Sequence, residues 1–257
     1  MDDEIHINEV LLYLSLKYKG DWESIFHAVR VKEKYDHAKL EELRKDMKCK
    51  YVTLLDKEYP SCLKLTYRPP FVIYYYGNLD LLKTNTIGVI GSRDNSGYGK
   101  ENCTKIVSEL SKELTIVSGL ARGIDSIAHQ AAINASGKTI AVLGSGIDNC
   151  YPKENLSIYN NIKENHLLLS EYPGDVAPDA EHFPMRNRII AGISNSLFVV
   201  ECKKRSGTAI TIGYTLEAGK DVFCLPHNVD GVNFCNSLIK EGAYLVESAK
   251  DILDFLK

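Results

Sequence analysis

The sequence predicts an α/β protein: a largely parallel sheet with helices on both faces, preceded by a small helical unit. Three observations carry this. From Thr86 onward, short apolar runs alternate with amphipathic helical patterns, the rhythm of right-handed strand–helix–strand crossovers. Those apolar runs end in loops rich in glycine and small polar residues, which tight strand-to-helix turns require. Before Thr86, Lys and Glu are dense, Gly is scarce and the apolar spacing is helical.

Taken in chain order, Asn8 to Leu16, Trp22 to Val29 and His37 to Met47 each read as a short helix, the first with Val10, Leu11 and Leu14 on one face. Tyr59-Pro60 and Arg68-Pro69-Pro70 break that pattern. Phe71 to Tyr76 is rich in β-formers and ends at Gly77-Asn78, so it either leads into the sheet or joins it. The division expected is a small helical N-terminal domain with its lead-in at 1–78 and a Rossmann-like domain at 79–257. Strands are expected at Ile87–Gly91, Thr115–Gly119, Thr139–Gly144, Leu167–Glu171, Leu197–Glu201 and Asp221–Leu225. Helices are expected at Tyr98–Leu114, Ile124–Ala135, Lys153–Lys163, Pro184–Ile193 and Thr208–Ala218. Such sheets bind ligands at the carboxyl ends of their strands, near a switch in strand order.

The 257 residues are 44% hydrophobic and 25% charged with a formal net charge of −3, an ordinary globular composition. A chain that is basic all over is excluded, so any nucleic-acid contact must be local. Such a local excess exists: from His182 to Arg205, Arg186, Arg188, Lys203, Lys204 and Arg205 face one acid, Glu201. The seven cysteines are dispersed and form no Cys-x-x-Cys, which fits a reducing cytoplasm and no metal site. There is no basic-apolar leader and no membrane-length apolar run.

The chemistry concentrates at strand ends. Gly91-Ser92-Arg93, Ser118-Gly119-Leu120-Ala121-Arg122 and Gly144-Ser145-Gly146 follow the first three strands. Glycine lets backbone approach an anion, and the next helix supplies N–H donors. Neither Gly-x-Gly-x-x-Gly nor a P-loop is present, so no cofactor is expected. The run Phe183-Pro184-Met185-Arg186-Asn187-Arg188 puts two arginines into an otherwise apolar helix. Pro184 suits a first helical turn, which places both arginines beside its unpaired N–H groups as an anion site. The alternative is a surface helix with two snorkelling arginines. With the Ser206-Gly207-Thr208 loop, a phosphate-binding edge is expected. Phe183 is either a base-stacking platform or a hydrophobic staple. Asp125 and His129 are four apart on a helix and able to meet, as a structural contact rather than a general base. Glu171 and Glu201 both end strands and are expected to orient Arg186 and Arg188, with acid–base work as the alternative.

These stretches resemble the DNA-processing protein A family, DprA, also called Smf. The match runs through Gly91-Ser92-Arg93 with Tyr98-Gly99, Ser118 to Asp125 with His129, and Ala141 to Asp148 with Tyr151-Pro152 and Asn155. It continues through Leu169 to Pro173, Phe183 to Gly192, Ser206-Gly207-Thr208 with Glu217, Gly219 and Phe223, and Gly231-x-Asn233 with Leu238-Ile239 and Gly242-Ala243. The resemblance implies an extended Rossmann-like domain that binds single-stranded DNA, forms a homodimer and helps load a RecA-type recombinase in DNA uptake, recombination and natural transformation. It implies no enzymatic activity and a sterile-alpha-motif-like helical domain at the N-terminus. Carried over by position, Arg93, Phe183, Arg186, Asn187 and Arg188 line the DNA pocket, with Ser118, Gly119 and Gly144 at its floor. Gly91, Ser92, Arg122, Ser145, Ser206 and Gly207 complete the expected phosphate-binding set. The winged helix that many relatives carry at the C-terminus is not expected within this sequence, which ends at Lys257. The other function weighed is a nucleotide-binding or nucleotide-cleaving enzyme or sensor using the same pocket. The blandest alternative is an interaction module with a vestigial pocket.

Overall fold

The computed structural model describes residues 7–204, 206–229 and 234–257. The Gly231-x-Asn233 motif and Arg205 lie outside the described residues. The chain runs α1 (Ile7–Lys17), α2 (Trp22–Arg30), α3 (His37–Arg44), β1 (Lys50–Thr53), α4 (Ser61–Lys64), β2 (Val72–Gly77), β3 (Thr86–Gly91), α5 (Gly97–Leu110), β4 (Thr115–Ser118) and α6 (Ile124–Asn134). It continues with β5 (Thr139–Leu143), α7 (Leu156–Asn165), β6 (Leu167–Ser170), α8 (His182–Ile193), β7 (Ser196–Glu201), α9 (Gly207–Glu217), β8 (Val222–Cys224), α10 (Cys235–Lys240), β9 (Tyr244–Leu245) and α11 (Ala249–Phe255).

Among the described residues the strands form one nine-stranded sheet in the order β1-β2-β6-β5-β4-β3-β7-β8-β9. Every pairing from β6 to β9 is parallel, while β1 pairs antiparallel with β2 and β2 with β6. The α/β class and the Rossmann-like order are therefore as expected. The expected break after residue 78 does not coincide with an edge of the sheet. The antiparallel strands β1 and β2 extend the sheet, and Tyr74 hydrogen-bonds Ser15 of α1 at 2.9 Å. Phe71 to Tyr76 thus joins the sheet. Its two-sided apolar content is the reason: Ile73 packs into the core on one face while Val72 and Tyr74 pack against the N-terminal helices on the other.

Alternation along each strand builds the two faces. Leu197 and Val199 join one core with Ile189, Ile190 and Ile193 of α8 and Ile212 of α9. Phe198 and Val200 join the opposite core with α5, α6 and α11. Each of those three α8 isoleucines is buried, worth about 1.5–3 kcal/mol apiece. This anchors α8 against the sheet and sets where its polar residues can go. Among the described residues, no helix is long and apolar enough to cross a membrane.

The sheet changes direction at β3. From it the chain steps outward through β4, β5 and β6, then returns to place β7 on the other flank of β3. That reversal leaves a crevice above the carboxyl ends of β3 and β7, the usual ligand position in such sheets. Gly91 pairs with Glu201 there, across a register shift at Ile90 and Gly91.

Candidate functional site

A cavity of about 580 Å³ occupies this crevice. The β3–α5 loop lines it with Gly91, Ser92 and Arg93, and α8 contributes Phe183, Arg186 and Asn187. The β7–α9 connection contributes Lys203, Ser206, Gly207 and Thr208. Tight loop packing positions these groups. Gly123 has φ +74°, and a side chain there would run into the Ser92 and Arg93 carbonyls; only glycine suits such a left-handed close approach. Thr208 Oγ1 donates to the Gly91 carbonyl at 3.1 Å, tying the start of α9 to the end of β3. The Ser206 side chain makes no capping bond to α9, so the positive end of that helix opens on the cavity uncapped.

Arg93 and Phe183 form the mouth. The guanidinium carbon lies 5.2 Å from the ring centroid, a cation–π distance. Gly144 does not line the cavity; it seats Phe183, whose ring packs where a Cβ would stand. Tyr151 flanks the same ring at 5.7 Å. Phe183 is thus a supported platform at the cavity mouth.

The arginine helix departs from expectation. It begins at His182, two residues before Pro184, because the Asp179 side chain and carbonyl catch the amides of Glu181 and His182. Arg186 and Arg188 therefore fall in the second turn, away from the unpaired N–H groups. Two residues apart on a helix, they point about 200° from each other, so one crevice cannot take both. Arg186 faces the cavity floor and Arg188 the opposite way.

Arg188 is 1% exposed. Its Nη2 donates to Glu171 Oε1 and Oε2 at 2.7 and 2.9 Å, and its Nε and Nη1 donate to the Arg68 and Met185 carbonyls. It is a structural ion pair and no part of the cavity. Glu171 does orient an arginine, as expected, but a buried one. Burial pushes its carboxyl up, opposed by the adjacent guanidinium. Glu201 holds neither arginine. It accepts from the Ser96 amide and hydroxyl at 3.1 and 2.9 Å and pins the start of α5. Neither of the two carboxylates named for acid–base work lines the cavity.

Arg186 is 4% exposed. Its Nη1 donates to the Gly119 and Val142 carbonyls at 2.5 and 2.6 Å, and its Nε donates to Asn187 Oδ1 at 3.0 Å. Gly119 acts as its seat: a side chain there would fall on the guanidinium. Asn187 Nδ2 in turn donates to the Gly207 carbonyl at 3.1 Å, linking α8 to the start of α9. Burial pushes Arg186 down to about 10, still a cation at neutral pH. Beside it Asp125, also lining the cavity, is pushed up by burial and opposed by Arg186.

Asp125 and His129 do not pair. Thr139 Oγ1 donates to the Ile116 carbonyl and so accepts from His129 Nδ1 at 2.7 Å. His129 is fully buried, and burial holds it near 3. The fold thus favours its neutral form, while the unfolded chain protonates near pH 6.5. Stability from this group is present above pH 6.5 and is lost on acidification, about 3 kcal/mol between pH 7 and pH 4. Urea unfolding at several pH values should show this slope, and His129→Gln should flatten it.

The remaining expected residues stand elsewhere. Ser118 Oγ donates to the Val89 carbonyl and Ser145 Oγ to the Asn149 carbonyl, so both are spent inside the fold. Arg122 pairs with Glu154 at 3.0 Å on the surface. Lys203, Thr208 and Asp125 line the cavity without having been named as binding residues. The signals were present, in the basic excess after Glu201 and in the Ser206-Gly207-Thr208 motif.

The family model of DNA recombination-mediator protein A matches residues 50–257. The chain belongs to that family. It is 47% identical over 203 residues to the DNA processing protein DprA of Streptococcus pneumoniae, across 78% of this chain and 72% of that one. The X-ray structure of DprA from Streptococcus pneumoniae superposes with a TM-score of 0.84 at 38% identity, covering 97% of this chain and 98% of that chain. A Helicobacter pylori DprA, whose structure is described for its single-stranded DNA binding mode, superposes at 0.74 with 28% identity, over 80% of this chain and 95% of that chain. Membership of the DNA recombination-mediator protein A family carries a DNA-processing, recombination-mediator role.

Proposed function

We propose that this chain binds single-stranded DNA in the cavity above β3 and β7 and helps load a RecA-type recombinase onto that strand. The observation that carries this reading is the Arg93–Phe183 pair at the mouth of a cavity whose walls hold Arg186, Lys203 and the uncapped start of α9. Cations and helix amides suit phosphates, and a base stacks on an aromatic or guanidinium plane without regard to sequence. The reading has the chain acting by binding alone, with no bond made or broken. Self-association has a footing at the β9 edge of the sheet, where Tyr244 and Leu245 are exposed.

Three cations releasing counterions from a single strand give a slope of log affinity against log salt of about −2. Anisotropy titrations of labelled oligothymidylate should show that slope, and Arg93→Ala should reduce it by about 0.7 while weakening binding. Undetectable binding at low salt, or an unchanged Arg93→Ala, sinks the reading. For the loading step, the chain should shorten the lag of recombinase assembly on strands precoated with a single-strand-binding protein. An unchanged lag removes that step.

A further inference from the structure

Beyond the first cavity, a second one of about 330 Å³ lies along the same two helices, between Tyr67 and Tyr214. We infer that it is a stacking slot for a base of the same DNA strand, downstream of the first cavity. The inference rests on the single-strand reading above.

Continuity is the first argument. Ile210 and Thr211 of α9 line the first cavity, and Tyr214 of the same helix lines the second. Residues three and four apart share one helix face, so one surface of α9 runs from cavity to slot. On α8, Asn187 and Ile190 border the first and Ala191 and Gly192 the second. From Gly207 to Tyr214 the helix rises about 10 Å, a span of about three stacked nucleotides at 3.4 Å each.

The slot's own chemistry is the second argument. The two tyrosine rings are close to parallel, 19° apart, with centroids 6.4 Å from each other. Tyr67 is 54% exposed. It is braced by Arg68, whose guanidinium lies 5.0 Å from that ring and 5.1 Å from the Trp22 ring. An exposed ring already held in place is a platform that does not need ordering on binding. The charges balance: Lys220 and Glu217 both border the slot, and Arg188, which also borders it, is already paired with Glu171. Lys220 Nζ donates to the Ala191 and Gly192 carbonyls at 2.8 Å each, which leaves one of its three N–H donors. A neutral site with one donor, one carboxylate acceptor and two ring faces suits an uncharged base edge and disfavours a phosphate. The phosphates belong to the arginine-lined cavity and the base to the tyrosine slot.

The test uses labelled oligothymidylates of two lengths on the full chain. One of two nucleotides is too short to span the ~10 Å and stays in the first cavity, and one of about twelve reaches the slot. Tyr67→Ala and Tyr214→Ala should each weaken the longer strand about tenfold and leave the shorter unchanged. Tyr67→Phe and Tyr214→Phe, which keep the ring, should bind both as the unaltered chain does. Equal binding of the longer strand by both alanine variants overturns the slot. So does an equal loss in the phenylalanine variants, since that would make the hydroxyl and not the ring responsible. A short strand that the unaltered chain fails to bind overturns the first cavity as a subsite, and this extension with it. Photocrosslinking of 5-iodouracil placed about three nucleotides into the strand should label Tyr67 or Tyr214; labelling confined to Phe183 counts against the slot.

Discussion

Glu171→Ala should destabilise the fold by about 3–5 kcal/mol, the usual result of removing one partner of a buried ion pair. Arg188 would keep its charge at 1% exposure with no carboxylate beside it. Its remaining bonds, to the Arg68 and Met185 carbonyls, satisfy donors but do not neutralise the ion. The loss should appear as a lower urea midpoint with an unchanged slope. Removing both charges together should cost less: Glu171→Gln with Arg188→Met leaves no unpaired ion, and such replacements are often close to neutral. A loss below about 1 kcal/mol in Glu171→Ala would put that pair in solvent and refute its structural role. Because the pair lies outside the first, phosphate-binding cavity, the folded fraction should still bind a dinucleotide confined to that cavity with an unaltered salt slope.

Arg186→Ala should act on both stability and binding. Truncation leaves the Gly119 and Val142 carbonyls without the donor that serves them, each a cost of about 1–3 kcal/mol. It also leaves Asp125 without its adjacent cation and frees Asn187 Oδ1. On the single-strand reading, affinity should fall about tenfold or more, because a cation is lost and the α8–α9 link loosens together. Arg186→Lys keeps the charge but not the planar fork that reaches two carbonyls and Asn187 at once, so it should restore little. Paired denaturation and anisotropy measurements separate the two effects. Affinity equal to the unaltered chain in folded Arg186→Ala would remove Arg186 from the interface and leave it a structural residue.

The contrast between these two arginines shows what was legible in the chain and why the rest was not. Arg186 and Arg188 are indistinguishable as letters in an apolar helical run. A helix start expected at Pro184, two residues late, places Arg186 in the first turn, since Pro184 suits several early positions and the Asp179 catch is visible only in three dimensions. Gly119 and Gly144 read in the sequence as glycines that let an anion approach the backbone, but what approaches is an arginine and a phenylalanine of this chain. A glycine signal records that space is needed and not who takes it. Arg122 and Arg93 each follow a strand-end glycine loop, and only Arg93 reaches the cavity while Arg122 finds Glu154.

The sequence by itself determined the α/β class, the order of the alternating elements from Thr86 on, the strand-end edge as the place of the site, and the family. Those properties follow from periodicity, turn chemistry and motif order, all of which are local along the chain. Only the tertiary structure decided that β1 and β2 extend the sheet, that Arg188 belongs to Glu171, and that Lys203 and Asp125 join the cavity. It also decided that Tyr67 meets Tyr214. Each of these pairs residues far apart in the chain, and their meeting is set by how the two faces of the sheet are packed.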